Sequence, residues 1–185
     1  MKNSFYIIIA LVLFGFTSTD KTQVIISEKS QIIINGKSNI NSFQCEYNQN
    51  LIKSQLFVTH YQKENKILLQ GATFLIQTKG FDCAHRIITK DLQSVLKSNE
   101  YPNIKIEVNE LKTSGVKIIA TATITIANVK KTYHIPVTIN PKNKNVNGIL
   151  TLNINDFNLK SPKKILGLIK LNEEVSIAFD LYLKY

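Results

Sequence analysis

From residue 22 onward apolar and polar positions alternate with a period of two. Val116, Ile118, Ala120, Ala122, Ile124 and Ile126 share one face, set against Lys117, Ile119, Thr121, Thr123 and Thr125. The same alternation runs through Ile104, Ile106 and Val108, through Tyr133, Ile135, Val137 and Ile139, and through Leu150, Leu152 and Ile154. It returns at Val175, Ile177, Phe179, Leu181 and Leu183. Successive side chains of a strand point to opposite faces, so each run buries one face and wets the other. The pattern predicts an antiparallel β protein.

Less regular strands are expected at 22–27, 31–35, 38–48, 55–62 and 66–79. Asn35-Gly36, residues 62–65, Ser114-Gly115, Asn128 and residues 143–147 are the turn signals. Pro136 falls on the polar side of its run and predicts an edge, a bulge or a break there. One segment, 89–98, has a different period. Thr89 is placed to cap a helix, Leu92, Val95 and Leu96 share one face, and Tyr101-Pro102 ends it. A late loop, 156–171, carries Pro162 and Gly167 and has room for a short helical turn. About eight to ten strands in about 165 residues suit a sandwich or a closed barrel, and closure removes exposed sheet edges. Ala120 and Ala122 on the longest apolar face indicate either open space or room for a crossing helix or a neighbouring Phe.

Ahead of the strands lies a different kind of segment. Met1-Lys2-Asn3-Ser4 leads into about twelve apolar residues, 5–16, and then into polar Thr17-Ser18-Thr19-Asp20. The apolar run is short of the roughly 20 residues that a spanning helix needs. Residues 1–19 therefore read as a secretory signal and 20–185 as a single exported domain, periplasmic or secreted. In an oxidising compartment the two cysteines, Cys45 and Cys83, favour a disulfide. Closing a loop of that length would contribute about 3–4 kcal/mol. Unpaired buried thiols and thiol chemistry beside His85 are the alternatives.

The 185 residues carry 23 Lys+Arg against 13 Asp+Glu, a formal charge of +10. Arg86 is the sole arginine, and the lysines are scattered without an aromatic stacking platform, which argues against nucleic acid as partner. The charge reads as a solvated face, or as attraction to anionic lipid head groups and peripheral membrane contact. Catalytic patterns are missing from the sequence. His60, His85 and His134 lack metal-ligand spacing, no Ser sits in a G-x-S-x-G elbow, and Glu173-Glu174 would face opposite sides of a strand. The reading is a non-enzyme without metal.

Four motifs in order carry a resemblance. Gly36-Lys37-Ser38-Asn39-Ile40-Asn41-Ser42-Phe43 resembles the opening G-x-S-x-(apolar)-x-x-F of the YceI-like domain. Asp91-Leu92 through Leu96, followed by Glu100-Tyr101-Pro102-Asn103-Ile104, is similar to its L…L…yP-x-I segment. Ala122 through Lys131, with Ile135-Pro136-Val137, is similar to its central hairpin, with Asn128 in place of the usual Gly. Asp156-Phe157-Asn158-Leu159 and Asn172-Glu173-Glu174-Val175-Ser176-Ile177 are similar to its close. The chain departs from the family pattern at Asn128 and around 83–86, and the cysteine pair with the Ser38-Asn39-Ile40-Asn41-Ser42-Phe43-Gln44-Cys45 form resembles an exported bacterial branch. The resemblance spans about 22–184.

It implies an all-β, elongated, lipocalin-like antiparallel barrel of about eight strands with one short helix. Its bore would hold an extended lipid, typically a polyisoprenoid, an isoprenoid quinone or a long-chain fatty derivative, and no catalytic motif carries over. Alternation then nominates Phe74, Ile76, Ile104, Ile106, Val108, Ile118, Ala120, Ala122, Ile124, Leu150, Leu152 and Ile154 as bore-lining, ligand-binding residues. Lys160, Lys163, Lys164 and His85 are the basic residues nominated for a polar head. The competing reading is an envelope stress or adaptor protein that uses its basic surface to engage an unknown protein partner, with the bore filled as ordinary core.

Overall fold

The computed structural model describes residues 21–52, 54–115, 117–161 and 171–185; the expected signal segment and residues 162–170 of the late loop lie outside them. Along the described chain the elements are β1 (Lys21–Ile26), β2 (Gln31–Lys37), β3 (Ser42–Tyr47), β4 (Ser54–Lys63), β5 (Lys66–Gln70), β6 (Thr73–Gln77) and β7 (Phe81–Asp82). There follow α1 (Arg86–Val95), β8 (Asn103–Ser114), β9 (Lys117–Ile126), β10 (Val129–Asn140), β11 (Asn145–Asn153) and β12 (Glu174–Lys184).

Register shows how these pieces make a ring of eight antiparallel staves. β1 and β2 both run antiparallel to β12: Ile25 and Ile26 face Lys184 and Leu183, and Gln31 through Asn35 face Asp180 through Ser176. They are one stave, bent at residues 27–30. β3 and β4 form the next, lying along β2 and β1 respectively. β5 and β6 form the third, interrupted at Gly71, and both pair with β8. The expected strand 66–79 is thus present but broken. Gly71 has φ +79, and a Cβ there would run into the Phe57 carbonyl oxygen, so any side chain would collide. β8 to β12 follow in order, and β12 closes the ring on β1 and β2.

The bend in the first stave is repaired by one hydroxyl. The Ser27 N–H donates to the Tyr182 carbonyl at 2.8 Å, and the Tyr182 N–H donates to Ser30 Oγ at 2.9 Å. Ser30 is fully buried, so this side chain supplies the acceptor that the interrupted ladder lacks.

At one end β3 and β6 separate, and β7 and α1 occupy the space between them. Tyr47 spans the gap: its phenol accepts from the Gln77 N–H at 3.1 Å and its ring meets Phe81 edge-on at 5.0 Å. Burial pushes this phenol above its ordinary value of 10, while the Gln77 hydrogen bond opposes the shift. Cys45 on β3 and Cys83 after β7 form a disulfide across 38 residues. The helix starts three residues earlier than expected, because Thr89 is not its cap. Thr89 Oγ1 instead accepts from the Cys83 N–H at 3.0 Å and donates to Asp82 at 3.2 Å, tying the first turn of α1 to the disulfide.

Two further expectations resolve in the second half. The strand containing Pro136 does not break. Pro136 pairs with Ile119 and stands just before the stretch, Val137 to Asn140, that ladders with β11, so its missing N–H falls where β11 has parted from β10. The 3-10 turn Ile154–Phe157 packs there, with Phe157 fully buried against Tyr133 and the Tyr133 hydroxyl donating to Asp156 at 3.4 Å. The β9–β10 hairpin turns through Ala127 (φ 46) and Asn128 (φ 64), both left-handed as a two-residue primed turn requires. Asn128 therefore does the work of glycine, and Ala127 sits beside it in a conformation that costs an L-residue about 1 kcal/mol.

Two outcomes are expected. Replacing both cysteines with Ala should lower unfolding stability by about 3–4 kcal/mol, read as a fall in the urea midpoint that reductant reproduces in the parent protein. The second concerns Tyr133, whose phenol is pushed up to about 12 by burial and by the neighbouring, hydrogen-bonded Asp156 carboxylate. A raised phenol pKa stabilises the fold fully below the unfolded value of 10, and that contribution is lost as pH rises through about 12. Tyr133→Phe should therefore flatten the fall of Tm over that window; a Tm difference from the parent that does not change with pH would refute the assignment.

Candidate functional site

The inward faces of the staves do not meet. They surround a cavity of about 1070 Å³ that runs the length of the barrel. At about 30 Å³ per water molecule this equals the volume of about 35 waters. The middle of the wall is hydrocarbon, built from Ile32 and Ile34 of β2, Ile104 and Ile106 of β8, Ala120, Ala122, Ile124 and Ile126 of β9 and Leu150 and Leu152 of β11. Polar side chains border the space at its ends: Ser38, Asn41, Asp91 and Asn172 near α1, and Thr22 and His60 at the other end, with Tyr185.

Small residues keep the bore open. Ala120 and Ala122 are buried and contribute only methyl groups to the wall. Gly36 lies directly under the Phe43 ring and Gly148 under the Phe179 ring, each from the paired position on the neighbouring strand. A Cβ at either glycine would collide with the ring, so these glycines let two large aromatics lie against the wall. The same logic explains two of the sequence motifs. Ser38 Oγ accepts from the Ile40 and Asn41 N–H groups at 3.2 and 2.9 Å and donates to the Asn41 carbonyl, shaping the β2–β3 loop that delivers Phe43. In the closing motif Asp156 holds Tyr133, Phe157 packs under it, and Asn158 takes a left-handed conformation (φ 55) that turns Leu159 to the bore.

Of the residues nominated from alternation, Phe74, Ile76, Ile104, Ile106, Val108, Ala120, Ala122, Ile124, Leu150, Leu152 and Ile154 all border the cavity. Ile118 does not; at the start of β9 it packs against neighbouring core residues. Val24, Ile26, Ile32, Ile34, Leu56 and Val58 of the first two staves, and Phe179 and Leu181 of β12, also line the space. Their alternation was visible, but a one-dimensional pattern does not say which strands enclose a common interior. Among the polar nominees, His85 is exposed at the start of α1 and away from the cavity, while His60, an inward position on β4, borders it. Lys160 does not border the cavity, and Lys163 and Lys164 lie outside the described residues. Among the described residues no group of three or more His, Cys, Asp and Glu side chains is placed to hold a metal ion.

BcnA of Burkholderia cenocepacia superposes on this chain with a TM-score of 0.66, covering 86% of it and 99% of BcnA at 16% identity, a likeness that shows the fold. The YCEI protein of Campylobacter jejuni aligns at 17% identity with a TM-score of 0.41, covering 65% of this chain and 79% of its own. None of the curated proteins matches the sequence. The sequence profile of the YceI-like domain matches residues 17–183. With the eight-stave barrel and its apolar bore, that match places the chain in the YceI-like domain family, known for a lipid- and polyisoprenoid-binding barrel fold.

Proposed function

We propose that this chain is an exported, non-enzymatic lipid-binding protein that holds an extended isoprenoid, quinone-type or other long-chain lipid in its bore. The observation that carries the reading is the unfilled apolar cavity, polar only at its ends. Each methylene of a chain that leaves water for such a wall gains about 0.8 kcal/mol, so a long tail needs few polar contacts to be retained. A head group would sit at one end, within reach of the side chains that border the space there. Members of the family are binding proteins rather than enzymes. Export is supported by the cationic-then-apolar start of the sequence, by the Cys45–Cys83 disulfide and by the periplasmic setting of the family. On this reading residues 1–19 are a removable signal and 20–185 the carrier domain. The competing reading, action through the basic surface over a filled core, is disfavoured by the size of the cavity.

Native mass spectrometry of the protein purified from its own envelope should show a stoichiometric adduct in the mass range of a prenyl chain or quinone, removed by solvent extraction. A clean apo mass, with no uptake of added isoprenoids, would sink the proposal. A second measurement separates a hollow bore from a packed one. Ala122→Leu in a packed core should cost about 1–3 kcal/mol. Here it is expected to change stability by less than about 1 kcal/mol while lowering lipid affinity at least tenfold, checked by urea unfolding beside lipid titration.

A further inference from the structure

The lysines that look scattered along the chain are gathered by the topology at one end of the barrel. Lys63 and Lys66 sit at the β4–β5 turn, Lys112 and Lys117 at the β8–β9 turn, and Lys142 and Lys144 at the β10–β11 turn. Lys21 opens β1 and Lys184 ends β12, beside the same turns. Two lysines at each of three turns and two at strand ends make eight, set around one mouth. The acidic side chains placed there are Glu64, Glu110 and Asp180; Lys66 engages Glu110 at 3.0 Å, and Asp180 accepts from Asn145 Nδ2 at 2.7 Å. Among the described residues at the opposite end, Lys37, Lys79, Arg86, Lys90, Lys97, Lys130, Lys131 and Lys160 stand with Glu46, Asp82, Asp91, Glu100, Asp156, Glu173 and Glu174, so the two signs nearly balance there.

Three collar lysines on neighbouring strands share the one carboxylate of Glu110, which bonds Lys66. Lys63 lies directly across from Lys66, and Lys66 directly across from Lys112, so like charges face each other on three neighbouring strands. Like charges directly opposite are destabilising, and Glu110 offsets this at Lys66, so a further anion over Lys63 and Lys112 would be favoured. The collar also encloses the mouth of the bore. Thr22, His60, Ile139, Val146 and Leu183 border the cavity at this end, and the exposed Tyr185 ring stands on the rim with the Lys144 ammonium 4.5 Å from its centroid. Lysine rather than arginine, with an exposed amphipathic aromatic and half-buried aliphatic residues inside the ring, suits a lipid head-group layer better than a nucleic acid.

We propose that the lysine-ringed end docks on an anionic phospholipid bilayer and presents this mouth of the bore to the membrane. Docking stands apart from what the bore holds, since vesicle binding reads the collar and solvent extraction reads the contents. The test is sedimentation of the purified protein with vesicles of phosphatidylcholine alone, or of phosphatidylcholine with roughly one-third phosphatidylglycerol, at several salt concentrations. Binding is expected for the anionic vesicles and should weaken with salt. Each collar lysine should be worth about fivefold in affinity. A variant carrying Lys63→Gln, Lys112→Gln, Lys117→Gln and Lys142→Gln should therefore bind about six-hundredfold more weakly. The control, Lys79→Gln, Lys90→Gln, Lys130→Gln and Lys131→Gln at the other end, removes the same charge and should lose less than tenfold. Equal losses in the two variants, or equal sedimentation with neutral and anionic vesicles, would overturn the proposal. So would tight binding of an oligonucleotide by a protein that ignores anionic vesicles.

Discussion

The closing contact along β12 is the constraint on which the rest of the structure depends. An open sheet of these strands would have two faces and two unpaired edges, and its apolar side would need a second layer to cover it. Pairing β12 with both β1 and β2 turns the apolar face inward and gives every stave two neighbours over part of its length. Because the first stave must pair with β4 and β12 at one end and with β3 and β12 at the other, it bends at residues 27–30. Ser30 supplies the acceptor that the bend would otherwise remove. Closure therefore comes with one local interruption in the ladder, satisfied by one buried hydroxyl.

Closing the ring fixes the diameter, and the side chains decide whether the inside is filled. Eight staves leave an interior just wide enough for side chains or for one slim ligand. This sequence puts alanine at two central positions of β9 and glycine beneath two inward phenylalanines. The outcome is a wall of hydrocarbon around open space, with hydrogen-bonding groups kept to the ends. Such a site selects by length and apolarity, because an unpaired polar group pressed against that wall would give up its hydrogen bonds to water. A long tail in such a bore would be retained by the area removed from water.

The barrel's two ends differ in kind. One is braced by the disulfide, α1 and the Tyr47 contact between β3 and β6, which together bridge the place where two staves part. The other consists of short turns and strand ends rich in lysine. Mechanical bracing at one end and concentrated charge at the other give the molecule a direction that no single element possesses.

Much of the fold was legible in the residues because a strand's period of two is set by local stereochemistry. Alternation assigned inside and outside correctly along β8, β9, β11 and β12, and the position of Asn128 announced a turn with left-handed backbone. What alternation does not contain is who pairs with whom. That is why the first two staves were not recognised as bore wall, why 66–79 read as one unbroken strand, and why Thr89 read as a helix cap when its hydroxyl is committed to Cys83 and Asp82. His85 was nominated and His60 was not, since only register says which histidine faces the interior. The lysines show the division most clearly. In the sequence they are spaced across the whole chain and read as a solvated surface; an up-and-down meander brings every second turn to the same end, so residues far apart in the chain become neighbours. The sequence by itself determined the strands, their apolar faces and the turn chemistry, because these are local. Closure, the open bore and the ring of lysines at one mouth were decided by the tertiary structure, because each is a sum over strands that meet only when the ring is complete.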